Sequence, residues 1–317
     1  MSLDMVTAWY DVVGFLLIVY VVLEGRNFGA GMLHWFVAKT PAERRQVVAA
    51  VGPLWSWHEV WLLSFGGTLL MAFPKLMASA FPGYYLALFL ILWCFVLRGI
   101  ALEVGGHLKD GLWTTFWDFV FAVSSTLLAI LFGAAAGNLA RGVPLDPQGE
   151  FSMAFFTDFG VHGVKGDVGL LDWYTLSVAA FAAVLLAAHG ATYLAMKTDG
   201  PVHDRSAALA RRLWAASIPV FAVVSVECVF VRPDLVAPML GKPLVWCGVA
   251  VIVAAAAALL SGLLKGEAGE RRAFAAGNVL IAACLATGAA AIFPEMLHST
   301  LDPKDSMTAY AAAAGPH

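Results

Sequence analysis

The sequence has few charged residues, and this scarcity excludes most soluble folds. Asp, Glu, Lys and Arg make up 13% of the 317 residues, about half of the roughly 25% that is usual in soluble domains. Hydrophobic residues make up 61%. A chain of this composition must expose most of its surface to lipid, so we expect an integral membrane protein. The formal net charge of −3 is small and gives no basis for binding nucleic acid.

Cysteine is also scarce, and the common catalytic signatures are missing. The chain has no GxSxG, P-loop, HExxH or dinucleotide-binding fingerprint. The first residues contain no basic n-region, so we expect no cleavable signal peptide. The four cysteines lie in apolar runs without a CxxC pair, which predicts buried thiols and not a disulfide or zinc framework. They are Cys94, Cys228, Cys247 and Cys284.

Long apolar runs are what the sequence does contain. A membrane-spanning helix needs about 20 mostly apolar residues, and eight runs meet this condition. They predict an all-α integral membrane protein with eight transmembrane helices. We expect the first helix to continue past Glu24, through a glycine-rich polar segment, to about Phe36. The runs centre on Val12–Leu23, Trp55–Phe73, Tyr84–Leu102, Phe116–Ala136, Trp173–Ala195, Leu213–Phe230, Leu244–Leu264 and Phe274–Phe293.

The distribution of basic residues predicts the orientation. The connections after helices one, three, five and seven carry more Lys and Arg than the longer remaining connections and termini together. Basic loops favour the cytoplasmic side, so both termini are predicted to lie outside.

A weak internal similarity predicts two four-helix bundles. The segments Gly29–Leu33 and Gly190–Leu194 resemble each other, and each is followed by a Lys-Thr pair. We expect a tail whose last part, 309–315, is poorly ordered. The predicted units are a first four-helix half at 1–140, an external loop at 141–172, a second four-helix half at 173–295 and an external C-terminal tail at 296–317.

Five titratable residues are predicted to lie at membrane depth, near the cytoplasmic side. They are Glu24, His58, Glu59, Glu103 and His189, and they come from four predicted helices. A charge inside a bilayer costs several kcal/mol, on the order of 3 on insertion scales, so such residues are candidates for function. Histidine titrates near neutral pH, and burial can bring a carboxyl group toward that range. We therefore interpret this set as a path for proton uptake.

A second set of residues is assigned to structure or to contact with another subunit. Trp55, Trp57 and Trp61 are typical of an aromatic belt at a membrane surface. Arg98 lies where a cytoplasmic anchor is expected. Asp118 lies near the predicted start of helix four, where the helix dipole favours an acid.

Structural alternatives remain open for the proton-path residues. Glu24 and Arg26 could form an interfacial pair, and His189 could be a packed core residue. Haem ligation by His58 or His189 is another alternative, because imidazole binds haem iron. Neither residue belongs to a motif that identifies a haem site, and no metal site is predicted in this chain.

Several segments, taken in order, resemble subunit II of the cytochrome bd-type quinol oxidases. Leu23–Leu33 is similar to the family's D-G-F-D-[LM]-G-V-G-[IM]-L, and Ser56–Leu62 resembles its D-G-N-[EQ]-V-W-L. Arg98–Glu103, Trp117–Pro144 and His189–Thr198 resemble further family segments in the same order. Each match is weak alone, but the ordered set is specific.

The resemblance implies a role and a set of partners. It implies a subunit without haem, paired with a larger subunit I that carries haem b and haem d, in a bacterial cytoplasmic (inner) membrane. The complex would oxidise quinol and reduce O₂ to water, and this subunit would support its partner and contribute to proton uptake. A structural quinone, membrane lipid and a small single-helix subunit are further candidate partners.

The sequence also departs from the family pattern. Asn27 stands where the family has a second acid, and Ser56 stands where it has an aspartate. His58 replaces an asparagine and could act as a proton carrier instead. The family's ninth helix has no counterpart after Tyr310, so we expect that the enzyme works without it, that a small subunit supplies it, or that the complex is a divergent one. The alternatives are therefore a divergent bd-like membrane redox complex and a proton-coupled secondary transporter.

Overall fold

A computed structural model of the chain describes residues 4–108, 110–157, 159–160 and 163–315, and this part is mostly helical. Two short strands, β1 (Glu295–Leu297) and β2 (Met307–Thr308), pair antiparallel near the C-terminus. The α-helices of the described residues are α1 (Met5–Val37), α2 (Pro41–Val51), α3 (Trp55–Ala72), α4 (Pro74–Gly83), α5 (Tyr85–Val104), α6 (Gly111–Arg141), α7 (Trp173–Lys197), α8 (Gly200–Val231), α9 (Pro233–Leu240), α10 (Pro243–Leu264), α11 (Glu270–Ile292) and α12 (Ala309–Ala312).

Seven of these helices are long and apolar enough to cross a membrane, or eight if α3 and α4 form one span. The two helices are bent by 118°. Phe73, between them, leaves the helical conformation because Pro74 follows it, and a proline disfavours the helical conformation of the preceding residue. The predicted all-α membrane fold is therefore confirmed with seven or eight spans. The orientation and the division into two bundles stay predictions.

Helix α1 lies at the centre of the fold and continues through the polar segment as predicted. It packs against α3, α6, α7 and α11. It crosses α7 at two glycines: a Cβ added to Gly29 would lie 2.9 Å from the Cα of Gly190, and one added to Gly190 would lie 2.6 Å from the Cα of Gly29. Only glycine allows this approach of the two backbones. The two segments whose similarity suggested two halves therefore meet here.

The connection between α1 and α3 contains a helix that the apolar runs did not predict. Thr40 and Glu43 form a capping box at the start of α2, and Pro41 occupies its first turn. Arg205, at the start of α8, donates hydrogen bonds to Glu43 at 2.8 Å and to the carbonyl of Val37 at 2.7 Å. The Arg205 hydrogen bond is the main reason that the pKa of Glu43 lies below its usual value. Arg205 thus links the connection between α1 and α3 to the second half of the chain.

The predicted external loop and the C-terminal tail pack together on one end of the molecule. Val143 donates its N–H to the carbonyl of His298 at 2.8 Å, and Thr300 donates to the carbonyl of Val143 at 2.9 Å. Ala309 and Ala312 are fully buried in the same cluster. The end of the tail is therefore packed, contrary to the expectation that it is poorly ordered.

Candidate functional site

A fully buried ion pair lies at the centre of the candidate site. Glu24 of α1 and Arg98 of α5 are 0% and 1% exposed, and Glu24 Oε1 lies 2.5 Å from Arg98 Nη2. The guanidinium also lies 4.9 Å from the centre of the Phe28 ring. Removing one partner of a buried pair leaves an uncompensated charge, which costs about 3–5 kcal/mol. Each member of this pair therefore depends on the other.

Two further groups converge on the second oxygen of Glu24. Asn27 Nδ2 donates a hydrogen bond to Glu24 Oε2 at 2.8 Å, and His58 Nδ1 lies 3.0 Å from the same oxygen. Glu24 and Asn27 are three residues apart on α1 and so share one face of the helix. Asn27 Nδ2 also lies 2.8 Å from His58 Nδ1, so the amide nitrogen, the imidazole nitrogen and Glu24 Oε2 are in mutual contact.

The two adjacent residues of α3 face different surroundings. Neighbouring residues on a helix point about 100° apart. His58 turns inward and is 4% exposed, whereas the Glu59 side chain is 20% exposed. Glu59 Oε1 lies 3.6 Å from Arg98 Nη1, whereas Glu24 contacts the same guanidinium through Nη2. The site is thus a buried carboxylate linked through Arg98 to a carboxylate that reaches the surface.

The second ring nitrogen of His58 faces Arg26. Arg26 Nη2 lies 3.2 Å from His58 Nε2. The Arg26 guanidinium lies 4.9 Å from the centre of the Tyr193 ring and 5.6 Å from the centre of the Phe274 ring. Both rings belong to the second half of the chain, on α7 and α11, so the site includes the seam between the halves.

The other two predicted proton-path residues make their contacts elsewhere. Glu103 is exposed at the end of α5 and accepts a hydrogen bond from Trp55 Nε1 at 3.1 Å. His189 is fully buried on α7, where Nε2 lies 3.3 Å from the carbonyl of Val22 and the ring stacks on Phe274. The structure thus brings Glu24 into direct contact with His58 and links Glu59 to them through Arg98, whereas Glu103 and His189 make their contacts elsewhere.

The three tryptophans of α3 differ in their environments. Trp55 packs over Gly99, where an added Cβ would lie 3.3 Å from its ring. Trp57 is 72% exposed. Trp61 is half-buried against the cluster that includes Tyr20 and Phe28. Trp57 is therefore the tryptophan of this segment that is free to contact lipid or another subunit.

Two charged residues of the second set have roles that the sequence did not reveal. Arg98 was expected to anchor or contact a neighbour, but it lies inside and neutralises Glu24. The interpretation of Asp118 as a helix N-terminal charge is wrong, because α6 begins at Gly111 and is capped by Asp110. Asp118 instead lies 3.0 Å from His34 Nε2 and 3.3 Å from Arg44 Nε, where it joins α1, α2 and α6.

A second buried ion pair lies at the opposite end of α6 and was missed entirely. Arg141 and Asp172 are both buried and paired, and Arg141 also donates to Asn138 Oδ1 at 2.7 Å. Asp172 caps the start of α7 by accepting from the N–H of Thr175 at 2.8 Å. The sequence did contain a signal for the position of Asp172, because Asp172 followed three residues later by Thr175 fits a helix N-terminus. This pair joins the end of α6 to the start of α7 and has no evident chemical role.

Among the residues that the structure describes, no group of three or more His, Cys, Asp or Glu side chains could hold a metal ion. The side chains of the Glu24 site are of types that can exchange protons. The site contains two carboxyl groups and an imidazole, with two guanidinium groups that balance the charge.

Comparisons with known proteins agree with this picture of the fold. The curated relatives include the cytochrome bd-I ubiquinol oxidase subunit 2 of Escherichia coli (strain K12), which is 30% identical over 218 residues, 69% of this chain and 55% of the relative. The cytochrome bd ubiquinol oxidase subunit 2 of Bacillus subtilis (strain 168) is 28% identical over 205 residues, 65% of this chain and 57% of the relative. This chain thus spans about half the length of the curated relatives it matches.

A solved structure and a family model cover nearly the whole chain. The structure of bd oxidase from Geobacillus thermodenitrificans matches with a TM-score of 0.74 over 98% of this chain and 89% of that chain. The sequence identity is 15%, so this likeness shows the fold. The model of the family described as cytochrome bd terminal oxidase subunit II matches residues 5–317. Because that match spans all of the membrane helices, the chain belongs to the cytochrome bd terminal oxidase subunit II family.

Proposed function

We propose that this chain is the haem-free subunit of a bd-type quinol oxidase and contributes to proton uptake for the reduction of O₂ to water. The relatives named as ubiquinol oxidase subunits support the first part. The observation that carries the second part is the fully buried Glu24, which lies on the candidate membrane-spanning helix α1 in contact with His58, Asn27 and Arg98. Ionisable groups are expensive at this depth, so their presence favours a function.

The proposed path begins at the end of α5 and leads inward. Glu103 and Trp55 lie at the surface, and the partly exposed Glu59 follows on the next turn of α3. Arg98 connects Glu59 to Glu24, and His58 contacts the other oxygen of Glu24. Arg98 contacts both carboxyl groups, so the charge of Glu59 and the charge of Glu24 are coupled through it. This end of the molecule is cytoplasmic in the proposal, as the basic connections predict.

The surroundings of His58 favour proton exchange over haem ligation. Both of its ring nitrogens already face groups of this chain, Glu24 on one side and Arg26 on the other. A haem iron would have to displace one of them. We therefore assign haem b and haem d to a larger partner subunit. A small single-helix subunit, membrane lipid and a structural quinone complete the proposed complex, in the bacterial cytoplasmic membrane.

The test compares two substitutions of Glu24 in the purified complex. Glu24→Gln removes the titratable group, and we expect it to lower quinol-dependent O₂ consumption by about tenfold or more, since a positioned proton carrier contributes roughly 10²–10⁴-fold. Glu24→Asp keeps a carboxylate and should retain most of the turnover. Haem content, measured from the absorption spectrum, should be unchanged in both variants.

Glu227→Gln is the matched control. Glu227 is a half-buried carboxyl group on α8 that accepts a hydrogen bond from Ser177 at 3.2 Å, away from the Glu24 site. Its substitution should leave O₂ consumption unchanged. Normal turnover in Glu24→Gln would refute the proton-uptake role. A purified chain that transports solute alone, without haem or quinol-dependent O₂ consumption, would support the secondary-transporter alternative instead.

A further inference from the structure

One face of α1 carries a buried polar stripe that runs from the candidate site toward the end of the helix. Its four members are spaced by three, four and three residues, so they lie on the same side of the helix. They are Glu24, Asn27, Gly31 and His34, and all four are buried. Glu24 and His34 are about 15 Å apart along the helix axis. The stripe therefore connects Glu24 with the last turn of α1.

Helix α6 presents a matching face to this stripe. Asp118, Phe121 and Ser125 are three and four residues apart and so share one side of α6. Asp118 Oδ1 lies 3.0 Å from His34 Nε2, and the Phe121 ring meets the His34 ring edge-on, with 5.5 Å between the centres. Ser125 occupies the space beside Gly31, because a Cβ added to that glycine would overlap Ser125 Oγ. The two helices are therefore in contact over two turns of α6.

The Asp118 end of this interface reaches the surface. The Asp118 side chain is 17% exposed, whereas His34 is fully buried. Arg44 Nε of α2 lies 3.3 Å from the other carboxyl oxygen of Asp118, and the guanidinium lies over the Trp35 ring at 4.7 Å from its centre. Asp118 is thus a carboxyl group that can exchange protons with water, next to an imidazole that does not reach water by itself.

Three buried polar atoms along the interface have no hydrogen-bond partner among the residues that the structure describes. They are His34 Nδ1, Ser125 Oγ and Asn27 Oδ1. By contrast, the hydroxyl of the neighbouring Ser124 donates to the carbonyl of Val120 at 2.6 Å. Buried polar groups that lack a protein partner are usually satisfied by ordered water. The interface therefore offers polar positions for bound water inside the fold.

The spacing of these atoms suits single bridging waters. Ser125 Oγ lies beside Gly31, which is about 6 Å from Asn27 and about 4.5 Å from His34 along the axis of α1. A water that forms two hydrogen bonds spans about 5–6 Å. One water on each side of Ser125 is therefore enough to link it to both neighbours.

Glu24 also needs a proton donor other than Arg98. Arg98 contacts Glu24 and Glu59, but a guanidinium keeps its protons. It therefore couples the two charges without passing a proton between them. The polar stripe approaches Glu24 from another side, through Asn27, whose amide donates to Glu24 Oε2 at 2.8 Å.

We propose that Asp118 and His34 form a second proton entry, which supplies Glu24 along the interface of α1 and α6. A proton taken up by Asp118 passes to His34 Nε2, and the ring releases the proton of Nδ1 to a bound water. Waters held by Ser125 and Asn27 carry it on to the Glu24 carboxylate. This inference rests on the proposed function and names a route for the protons that Glu24 takes up.

The test measures proton uptake with a pH-indicator dye while the fully reduced, purified complex reacts once with O₂, together with steady-state O₂ consumption. Asp118→Asn and His34→Gln each remove a titratable group, and each should lower both rates by about twofold to tenfold, because the entry at Glu59 remains. Asp118→Glu keeps a carboxyl group and should restore most of the rate. The KM for quinol and the haem spectrum should stay unchanged, which separates lost proton delivery from a damaged fold.

Ser125→Ala tests the route without changing an ion pair. It removes the unpartnered hydroxyl and should slow proton uptake by about twofold or more. Ser124→Ala is the matched control, because the Ser124 hydroxyl is bonded within its own helix, and it should leave proton uptake unchanged. Equal rates in the two variants would overturn the route past Ser125.

The outcomes also separate this entry from the proposed function. Normal proton uptake in both Asp118→Asn and His34→Gln would overturn the second entry, and a slow Glu24→Gln in the same experiment would leave the proposed function standing. Normal turnover in Glu24→Gln would instead refute proton uptake through Glu24 itself.

Discussion

The crossing of α1 and α7 predicts a large effect for a single methyl group. In Gly29→Ala the new Cβ would lie 2.9 Å from both the backbone nitrogen and the Cα of Gly190, and closer still to the carbonyl oxygen of Leu186. All three obstacles are backbone atoms, so a change of side-chain rotamer cannot relieve the clash. The helices must separate by several tenths of an ångström or more along the contact.

The magnitude follows from two opposing effects. Overpacking of a close contact costs about 1–3 kcal/mol, and a backbone obstacle places this case at the upper end. Alanine favours a helix over glycine by about 1 kcal/mol, which offsets part of the loss. We therefore expect Gly29→Ala to lower the free energy of unfolding by about 1–2 kcal/mol. Because Glu24 and Asn27 lie on the same helix, separation should also loosen the candidate site.

The assay is thermal unfolding of the detergent-solubilised protein, and the control is Gly14→Ala. Gly14 lies on the same helix, and no atom would lie within 4 Å of its added Cβ. Gly14→Ala should leave the unfolding temperature unchanged or raise it slightly, whereas Gly29→Ala should lower it. Equal unfolding temperatures in the two variants would refute the inferred close contact of α1 with α7.

Two further predictions concern the end of the molecule where the loop at 141–172 packs against the C-terminal tail. Arg141→Met leaves the buried Asp172 carboxylate without its cation. Thermal unfolding should therefore show that the free energy of unfolding falls by about 3–5 kcal/mol. A decrease below about 1 kcal/mol would contradict a fully buried pair. Hydrogen bonds from His298 and Arg232 hold the pKa of Glu295 below its usual 4.5. The ionised Glu295 should therefore stabilise the protein above pH 4.5, and this stabilisation should disappear as the pH falls below that value. Unfolding measured over a pH series should show that the stability difference between the unmodified protein and Glu295→Gln shrinks over this range.

The fold could be predicted largely because lipid imposes one requirement on every span. Each apolar run of about 20 residues had to become a helix. Short elements were not predicted, since they depend on local chemistry: α2 begins at the capping box of Thr40 and Glu43, and α4 begins at Pro74. The start of α6 was placed too late, because Gly111, Thr114 and Thr115 interrupt the apolar run although residues 111–115 are helical.

The candidate site could be predicted as a list of residues but not as a set of contacts. Burial cost alone identified Glu24, His58 and Glu59 as unusual. Their contact partners depend on the relative rotation and axial position of α1, α3 and α5, which the sequence of a single helix does not determine. Arg98 was therefore interpreted as a cytoplasmic anchor or a subunit contact, and its ion pair with Glu24 was not predicted. His34 was not considered at all, because its partner Asp118 lies on another helix.

The departures from the family pattern meet at one carboxyl group. An aspartate at position 27, as the resemblance implies, would place a second carboxylate where Asn27 Nδ2 now lies, 2.8 Å from Glu24 Oε2. Two carboxyl groups at that distance cannot both ionise. Asn27 removes the conflict, because its amide nitrogen donates a hydrogen bond to Glu24 Oε2. His58, which stands where the family has an asparagine, lies 3.0 Å from the same oxygen through Nδ1 and 2.8 Å from Asn27 Nδ2. The lost acid and the new histidine are therefore in contact, and the site has one carboxyl group with an amide and an imidazole beside it where the family pattern has a pair of acids.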